Sequence, residues 1–290
     1  MSANVELLLN TSSNSGDAVR KDIEEKLSAS IKLTKISRVE NGEQLMNSIA
    51  GIKKRKPKTL VIAGGDGTIS STISALHETD IQYGCIPTGT TNNFARSTNI
   101  PQDTDSAIET ILNGRLKHVD VGSVNGDAFV NVIGVGVSAL IAQNISDKLK
   151  KRFGRFAYAL VGIRETLAFK PFTVTIHDDD SDLEISYQTR QLIIANGRYH
   201  AGTVITEDSD IDTGQLIVFP LGGKNILGFA WAMLSFYFFK RESAKHSSFI
   251  HAKNIQLTYS RRVPYELDGE PKIADKMSAT AIKKQIEVLC

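Results

Sequence analysis

The sequence predicts a fold of the α/β plus β class, in which an open and mostly parallel α/β sheet is followed by a β-sandwich. Three observations support this prediction. Short apolar segments alternate with helical patterns over about the first 118 residues. Closely spaced strand patterns dominate the remainder, and two glycine-containing loops each follow a strand of the first part.

The first part alternates regularly between strands and helices. Its apolar segments are short and end at turn residues, as expected of parallel strands that are buried on both faces. The predicted strands cover residues 5–9, 31–36, 59–63 and 83–86. Helices are predicted through Val19, Ile23 and Leu27, through Leu45, Ile49 and Ile52, and over residues 69–77 and 105–112.

The second part is rich in strands and contains two helical segments, at residues 138–169 and 222–243. Its predicted strands cover residues 118–124, 128–133, 172–177, 184–188, 191–195, 215–220, 254–260, 263–266 and 285–289. We therefore place an α/β domain at residues 1–118 and a β-sandwich domain at residues 119–281. Residues from about 282 to 290 are expected to return to the first domain.

The bulk composition is that of an ordinary globular protein, with 41% hydrophobic and 23% charged residues. A net charge of +2 does not indicate a nucleic-acid partner, but it is compatible with an anionic membrane surface. Cys85 and Cys290 provide neither a disulfide framework nor metal-ligand spacing. The sequence has no signal-peptide pattern and no apolar run long enough to span a bilayer, so we expect a cytoplasmic protein.

The strongest indication of function is the motif Gly64-Gly65-Asp66-Gly67-Thr68, which lies between a predicted strand and a predicted helix. Glycines allow close approach of the backbone to an anion, and the N-terminus of the following helix favours negative charge. A carboxylate beside a phosphate is repelled unless a cation separates the two groups. Asp66 therefore indicates Mg²⁺ carried by a nucleotide, although the motif alone could be a capped strand-to-helix turn.

A second loop, residues 87–96, follows the next predicted strand and supplies a glycine turn, hydroxyl and amide donors, and Arg96. Parallel strands present their carboxyl ends at one edge of a sheet, so we expect the two loops to lie together where such sheets bind ligands.

The late sequence Leu267-Asp268-Gly269-Glu270 places two carboxylates around a glycine turn. Taken alone, it is most simply an acidic hairpin turn. Combined with the two glycine loops, it becomes a candidate general base.

Together these motifs resemble the bacterial diacylglycerol kinase and sphingosine kinase superfamily of lipid kinases. The matching pieces are Asn10 with Gly16, residues 64–68, residues 89–96 and residues 268–270, in the family's order and over nearly the whole chain. The resemblance implies an ATP-binding cleft between the two domains, with Glu270, helped by Asp268, accepting the proton of a lipid hydroxyl. It implies nucleotide contacts by Asn10, Thr11, Ser12, Ser13, Asn14, Thr34, Gly64, Gly65, Asp66, Gly67, Thr68, Gly89, Thr90 and Asn92.

Two departures from the family pattern affect these expectations. The family usually has Asn-Asp-Phe in the second loop, where this chain has Asn93 in place of the aspartate. The family also has an Asp-Asp-Gly turn that helps to bind a structural Mg²⁺. Here Thr213 replaces a ligand of the candidate set Asp210, Asp212, Thr213 and Gln215, so we expect either Asp212 to take over or this site to be weakened or absent.

A second glycine pattern, at residues 134–139, fits the dinucleotide-binding spacing G-x-G-x-x-A. The acid-terminated strand that such a site requires does not follow it. We therefore interpret this pattern as a close-packed strand end.

The predicted function is ATP- and Mg²⁺-dependent phosphorylation of a membrane lipid, foremost diacylglycerol to phosphatidic acid. A soluble-substrate kinase of the NAD kinase or phosphofructokinase type and a non-catalytic nucleotide- or lipid-binding regulator remain alternatives. We expect transient membrane contact, with a basic and aromatic cluster at residues 148–156 as one candidate surface, and a homodimer is compatible with the sequence. Segment 226–239 is predicted to be a packing helix, with membrane or partner contact as the alternative.

Overall fold

The computed structural model describes residues 4–11, 17–145, 155–206, 210–221, 225–238, 249–267 and 270–290. Within these ranges, a mixed sheet of 14 strands extends through both parts of the chain, and one further hairpin stands apart from it. The predicted fold class, a largely parallel α/β part followed by a β-sandwich-like part, is confirmed.

The first part is a parallel sheet flanked by helices. Its elements are β1 (Val5–Asn10), α1 (Asp17–Ser30), β2 (Leu33–Val39), α2 (Gly42–Arg55), β3 (Thr59–Gly64), α3 (Asp66–Leu76), β4 (Gln82–Pro87), α4 (Asn93–Ser97) and α5 (Thr104–Asn113). The strand order is β4-β3-β1-β2, and every pair is parallel. The interior strand β3 is buried at every position, which explains its continuous apolar sequence.

The one buried charge on β1 is compensated locally. Glu6 is only 2% exposed, and its two carboxylate oxygens accept hydrogen bonds of 2.6 and 2.7 Å from Nε and Nη2 of Arg55, at the end of α2. Such a paired geometry makes a charge at a buried strand position tolerable.

The second part is predominantly antiparallel. Its elements are β5 (Leu116–Val124), β6 (Asp127–Phe129), β7 (Val132–Gly136), α6 (Val137–Asn144), α7 (Arg155–Ala168), β8 (Phe172–Asp178), β9 (Leu183–Thr189), β10 (Gln191–Ala195), β11 (Tyr199–His200), β12 (Thr203–Val204), β13 (Leu216–Leu221), α8 (Ile226–Phe238), β14 (Ile250–Ala252), β15 (Asn254–Leu267) and β16 (Glu270–Leu289). The order β14-β13-β10-β7-β15-β16 forms its main path, and β11 and β12 form the separate hairpin.

The last strand joins the two parts of the sheet. Glu287 and Val288 of β16 pair in parallel with Gln82 and Tyr83 of β4, and β16 also pairs with β5 in the antiparallel sense. The predicted domain boundary after residue 118 falls within β5, which belongs to this continuous sheet. The division of the chain into folding units therefore remains a prediction.

Several predicted elements had the wrong extent. The strand predicted at residues 128–133 is divided into β6 and β7, because Asn131 bonds to other segments instead of continuing a ladder. The strands predicted at 254–260 and 285–289 are parts of the much longer β15 and β16. Their pairing shifts register between Thr258 and Val263, across a run of exposed polar residues that obscures the strand pattern.

The helical predictions were also partly incorrect in extent. Segment 138–169 contains α6 and α7 rather than one helix, and the extended residue Ile145 ends α6. Residues 146–154, which lie between the two helices, are outside the described ranges. The helix predicted at residues 69–77 begins earlier, at Asp66.

The glycine pattern at residues 134–139 forms a close-packed strand end, as interpreted. Gly136 has φ +103°, and a Cβ added there would lie 2.1 Å from the carbonyl oxygen of Arg190. Only glycine fits such a backbone conformation at this distance.

Candidate active site

The two glycine loops lie side by side at the carboxyl edge of the parallel sheet. Adjacent strands β3 and β4 end in register, with Gly64 opposite Pro87. Beyond them the loop backbones touch, because a Cβ added at Gly89 would lie 2.7 Å from Cα of Gly65. Gly67 and Thr90 are exposed at this surface. The arrangement supplies backbone N–H groups and the N-terminus of α3 to an approaching anion.

Asp66 fastens the first loop to the second. Its Oδ2 accepts hydrogen bonds from Thr91 Oγ1 at 2.6 Å and from Asn93 Nδ2 at 3.4 Å, and its Oδ1 accepts one from the backbone N–H of Phe94 at 3.3 Å. The sequence predicted a cation-facing role for Asp66, and the structure adds this second role. Its position in the first turn of α3 also suits a carboxylate electrostatically.

Asn92 shapes the second loop from within. It is 5% exposed and has the left-handed conformation with φ +47°, which asparagine tolerates better than most residues. Its Oδ1 accepts the Gly89 N–H at 3.0 Å, while its Nδ2 donates to Gly89 O at 3.1 Å and to Gln102 Oε1 at 3.2 Å. These contacts place Asn92 behind the loop, where it holds Gly89 in position.

Arg96 also braces the second loop. Its Nε donates a 2.9 Å hydrogen bond to the carbonyl oxygen of Thr91. This contact holds the guanidinium group against the same residue whose hydroxyl bonds to Asp66.

The end of β1 lies at the same edge of the sheet. Asn10 Nδ2 donates a 2.6 Å hydrogen bond to Thr68 Oγ1, and the backbone N–H of Thr11 donates to Val39 O at 2.8 Å. Ser12, Ser13 and Asn14 lie outside the described residues. The end of β1 therefore lies beside the first glycine loop, and the nucleotide contacts of Asn10, Thr11 and Thr68 stay predictions.

Thr34 does not join this group. It lies near the start of β2, where its Oγ1 is within hydrogen-bond distance of Val5 O (2.9 Å) and Asn4 Oδ1 (2.7 Å). Asn10 is at the other end of β1, and β2 runs parallel to β1. The expectation of a nucleotide contact by Thr34 is therefore wrong, since this residue lies at the opposite edge of the sheet.

The second part of the chain reaches the site through the β11–β12 hairpin. The backbone N–H of Gly202, which has φ +76° in the hairpin turn, donates a 2.8 Å hydrogen bond to Asn93 Oδ1. The Asn93 side chain thus contacts both Asp66 and the hairpin. Burial lowers the pKa of the neighbouring His200 to about 4, so its imidazole is neutral at physiological pH. The sequence prediction missed this hairpin, since its two strands have only two residues each.

The candidate base lies at a second hairpin. Asp268 and the Glu270 side chain are outside the described residues, whereas the flanking strand ends Leu267 and Glu270 pair with each other. Leu267 also pairs with Ile133, two residues from Asn131, whose Nδ2 donates to Ser70 Oγ on α3 at 2.6 Å. The described strand ends thus lie beside the helix that follows the first glycine loop. The catalytic roles of Asp268 and Glu270 stay predictions.

The acidic groups differ in their suitability for metal. Asp66 is a single carboxylate beside the two glycine loops, which would fit Mg²⁺ held mainly by nucleotide phosphates and water. Among the described residues, no cluster of three or more His, Cys, Asp or Glu side chains could hold a metal by itself.

The candidate structural metal site does not fit a divalent cation. Lys117 Nζ lies 3.1 Å from Asp212 Oδ2 and 4.0 Å from Asp210 Oδ2. Thr213 Oγ1 donates to the Asp210 carbonyl oxygen at 3.1 Å, and Gln215 is exposed. A lysine ammonium therefore already faces the two carboxylates of the set.

Two joined glycine loops at the carboxyl edge of a parallel sheet, beside a helix N-terminus, define the class of nucleotide-dependent phosphotransferases. Comparison with known families makes this specific. Residues 4–124 match the diacylglycerol kinase catalytic domain, and residues 131–290 match the YegS C-terminal NAD kinase beta sandwich-like domain. The chain belongs to the diacylglycerol kinase family of lipid kinases, and it is a kinase with an alcohol group as acceptor.

Individual relatives agree with this assignment. A diacylglycerol kinase from Bacillus subtilis is 29% identical over 216 residues, covering 73% of this chain and 70% of the relative. A protein from Staphylococcus carnosus that is provisionally named a lipid kinase is 26% identical over 239 residues, covering 79% and 75%. The resemblance inferred from the motifs is therefore confirmed, and membership of a kinase family implies ATP as co-substrate.

Solved structures share the fold. A diacylglycerol kinase from Bacillus anthracis has a TM-score of 0.75 at 20% identity, covering 99% of this chain and 96% of the other. A second Bacillus anthracis structure, provisionally assigned as a diacylglycerol kinase, has a TM-score of 0.81 at 22% identity and covers 100% and 96%. None of the helices in the described ranges combines the length and apolar character needed to cross a bilayer.

Proposed function

We propose that the chain transfers the γ-phosphate of ATP to the free hydroxyl of diacylglycerol, producing phosphatidic acid and ADP. The observation that carries this proposal is the contact between the two glycine loops. Asp66 of the first loop holds them together by accepting hydrogen bonds from Thr91 and Phe94 of the second loop. The choice of diacylglycerol follows the names of the relatives. The geometry supports the phosphate-handling half of the reaction, and the family supports the lipid acceptor.

The phosphates are proposed to bind against the exposed edges of the glycine loops. Backbone N–H groups of residues 65–67 and 90 and the positive end of α3 are proposed to stabilise their negative charge. The proposed nucleotide-binding set comprises Asn10, Thr11, Gly64, Gly65, Asp66, Gly67, Thr68, Gly89, Thr90 and Asn92. Mg²⁺ supplies charge neutralisation between the phosphates and Asp66. Asn10 contributes by holding Thr68, and Asn92 by holding Gly89.

The transfer step is an in-line displacement. The Glu270 carboxylate, assisted by Asp268, takes the proton from the lipid hydroxyl. The hydroxyl oxygen forms a bond to the γ-phosphorus, and the bond from that phosphorus to the β–γ bridging oxygen breaks, so that ADP leaves. Such reactions depend mainly on alignment and charge stabilisation, which the fixed loops provide.

The decisive experiment measures transfer from radiolabelled ATP to a panel of lipids in mixed micelles. We expect label on diacylglycerol with the unmodified protein and a loss of at least about 100-fold in turnover with Glu270→Gln, consistent with removal of a general base. ATP affinity should be unchanged in this variant. Glu184→Gln, a change at an exposed strand position, is the matched control and should retain activity.

The outcomes separate the alternatives. Label on a different lipid would replace diacylglycerol as the acceptor while keeping the kinase mechanism. Full activity of Glu270→Gln would refute the assigned base. Binding of ATP with Mg²⁺ but no label on any lipid would refute the proposed acceptor class.

Transient contact with an anionic membrane surface is part of the proposal. The helices α7 and α8 contact each other and carry exposed apolar side chains, namely Ile163 and Leu167 on α7 and Leu227 and Trp231 on α8. Each pair is four residues apart, so its members share a helix face. Arg164, which is exposed and whose Nε lies 3.9 Å from Oε1 of the buried Glu165, places a guanidinium group beside them. Apolar anchors combined with cationic side chains are typical of surfaces that enter the headgroup region of anionic bilayers.

Vesicle co-sedimentation tests this contact. Binding to vesicles of phosphatidylcholine and phosphatidylglycerol should exceed binding to phosphatidylcholine alone, and the double change Leu227→Glu and Trp231→Glu should reduce it by at least about tenfold. Ile273→Glu alters another exposed apolar residue, on β16, and serves as the control. Equal losses in both proteins would contradict a specific role for α8. Of the basic and aromatic cluster at residues 148–156, residues 148–154 lie outside the described ranges, and the side chains of Arg155 and Phe156 are not described either.

A further inference from the structure

The loop that precedes β13 is anchored to two other segments through Asp120. The carboxylate of Asp120, which is 1% exposed, accepts hydrogen bonds from the backbone N–H groups of Gly214 and Lys284. The backbone N–H of Asp120 in turn donates to Ile211 O at 2.9 Å. The loop at residues 210–215 is therefore fixed against β5 and β16 by bonds that involve no metal.

Two further carboxylates in this loop face a lysine. Lys117 Nζ lies 3.1 Å from Asp212 Oδ2 and 4.0 Å from Asp210 Oδ2. The three side chains are 26%, 39% and 33% exposed, respectively, so water only partly screens their attraction. The second oxygen of Asp210 accepts the Ile211 N–H at 2.8 Å. Both acids thus have polar partners within the protein.

The other two residues of the candidate set, Thr213 and Gln215, are poor ligands for a divalent cation. The Thr213 hydroxyl is used as a donor to the Asp210 carbonyl oxygen, and Gln215 is exposed. A Mg²⁺ ion requires close to six oxygen ligands in octahedral geometry, including its waters. An ammonium group and a divalent cation cannot occupy the same space between two carboxylates.

We infer that the Lys117 ammonium takes the place of the structural divalent cation that the family resemblance implies for this loop. The loop then keeps its conformation without Mg²⁺, and the metal requirement of the protein is confined to the nucleotide. This inference concerns residues outside the proposed nucleotide-binding set, and it stands or falls independently of the proposed reaction.

The loop matters because it supports the candidate site indirectly. Ile211 is fully buried in the core of the first part. Its Cδ1 lies 3.5 Å from the position that a Cβ of Gly197 would occupy, and that same position is 2.8 Å from Ser97 Oγ, at the end of α4. By holding this loop in place, Lys117 would support the packing of Ile211 and Gly197 against Ser97 of α4, the helix that begins at Asn93.

Thermal unfolding of the protein without nucleotide or lipid tests the inference. The midpoint of the unmodified protein should be the same, to within about 1 °C, in EDTA and in millimolar Mg²⁺ or Ca²⁺. Lys117→Met leaves two carboxylates facing each other without their cation. Its midpoint in EDTA should fall by at least about 2 °C, and added Mg²⁺ or Ca²⁺ should restore part of this loss.

Lys272→Met is the matched control. Lys272 forms an ion pair with Asp127, and its side chain is 32% exposed. Its replacement should lower stability without producing a response to divalent cations. An equal cation response in both variants, or none in Lys117→Met, would overturn the inference.

A second measurement does not depend on any variant. After gel filtration without nucleotide or chelator, elemental analysis of the unmodified protein should find far less than one Mg²⁺ or Ca²⁺ per chain. One tightly bound divalent ion per chain, or a midpoint that falls in EDTA and recovers with Mg²⁺, would show that the loop does hold a metal.

Discussion

Asn93 illustrates how one amide can serve two parts of a protein. Its Nδ2 donates to Asp66 of the first glycine loop, while its Oδ1 accepts from Gly202 of the β11–β12 hairpin. An aspartate, usual in the family at this place, could accept from Gly202 but could not donate to Asp66. The amide therefore suits a site in which Asp66 bonds directly to the second loop.

We expect Asn93→Asp to destabilise the protein electrostatically. The change keeps an acceptor for Gly202 and adds a second carboxylate about 3.4 Å from Asp66 Oδ2. Loss of about 1 kcal/mol would lower the unfolding midpoint by roughly 2–4 °C, measured without Mg²⁺ or nucleotide. Added salt should reduce this loss, because it screens the repulsion.

Asn93→Ser is the matched variant, since it removes the amide without adding charge. Its loss of stability should depend much less on salt. The same salt response in both variants would contradict an origin in repulsion between residues 66 and 93.

At the scale of elements, the site depends on two strand-to-helix connections that touch through their backbones. The contact requires a glycine at position 89, because an added Cβ would also lie 2.8 Å from Asn92 Oδ1. Thr91 and the N–H of Phe94 then complete the attachment to α3 through Asp66. The surface proposed to bind phosphate is thus a property of the paired loops rather than of either motif alone.

Gly89→Ala should separate the loops and weaken ATP binding by at least about tenfold, equivalent to about 1.4 kcal/mol. Isothermal titration calorimetry with ATP and Mg²⁺ measures this change. Gly42→Ala, in the first turn of α2, has open space around the added methyl group and should leave affinity unchanged. Unaltered affinity in Gly89→Ala would show that the loops need not touch.

At the scale of the whole molecule, one continuous sheet links two hydrophobic cores. The first core includes β1, β3 and β4 together with Ile286, Val288 and Leu289 from the last strand, and the second fills the antiparallel part. The β11–β12 hairpin adds a contact between the parts at the site. Stability of the site and stability of the fold are therefore closely connected.

The partly buried His200 predicts how stability varies with pH. Its folded pKa of about 4 is below the usual value of 6.5, so between these limits the unfolded chain binds a proton that the folded protein excludes. Stability should consequently fall as the pH decreases from about 6.5 to about 4, by up to about 1.4 kcal/mol per pH unit from this group.

Urea unfolding at pH 7, 6 and 5 measures this effect. His200→Gln should show a shallower decrease than the unmodified protein, whereas His118→Gln, at a half-exposed position, should not. Parallel curves for all three proteins would exclude His200 as a source of the acid sensitivity.

Sequence-based prediction succeeded where a feature depends on residues that are close in the chain, and failed where it depends on residues that are far apart. Strands β1, β3 and β4 were found because burial on both faces makes their sequences predominantly apolar. Most of β16 was missed because its charged residues alternate with small apolar ones such as Ala274, Ala279 and Ala281. The glycine motifs are local and were recognised directly.

The contacts that organise the site are not local. Asn93 and Gly202 are separated by 109 positions in the chain, and Asn131 and Ser70 by 61, so no spacing rule could pair them. Thr34 was misplaced because strand direction, which decides the edge at which a residue lies, is absent from a motif. Lys117 gave no signal in the sequence, since its partners are about 95 residues away.

The position of β16 has a consequence for how the chain acquires its structure during synthesis. Domains emerging from the ribosome usually fold in order from the N-terminus. Here the first core contains Ile286, Val288 and Leu289, and β4 is paired with residues 287 and 288. The earliest-made part of the protein cannot complete its interior until residues 286–289 have been synthesised, so the two parts are expected to finish folding together.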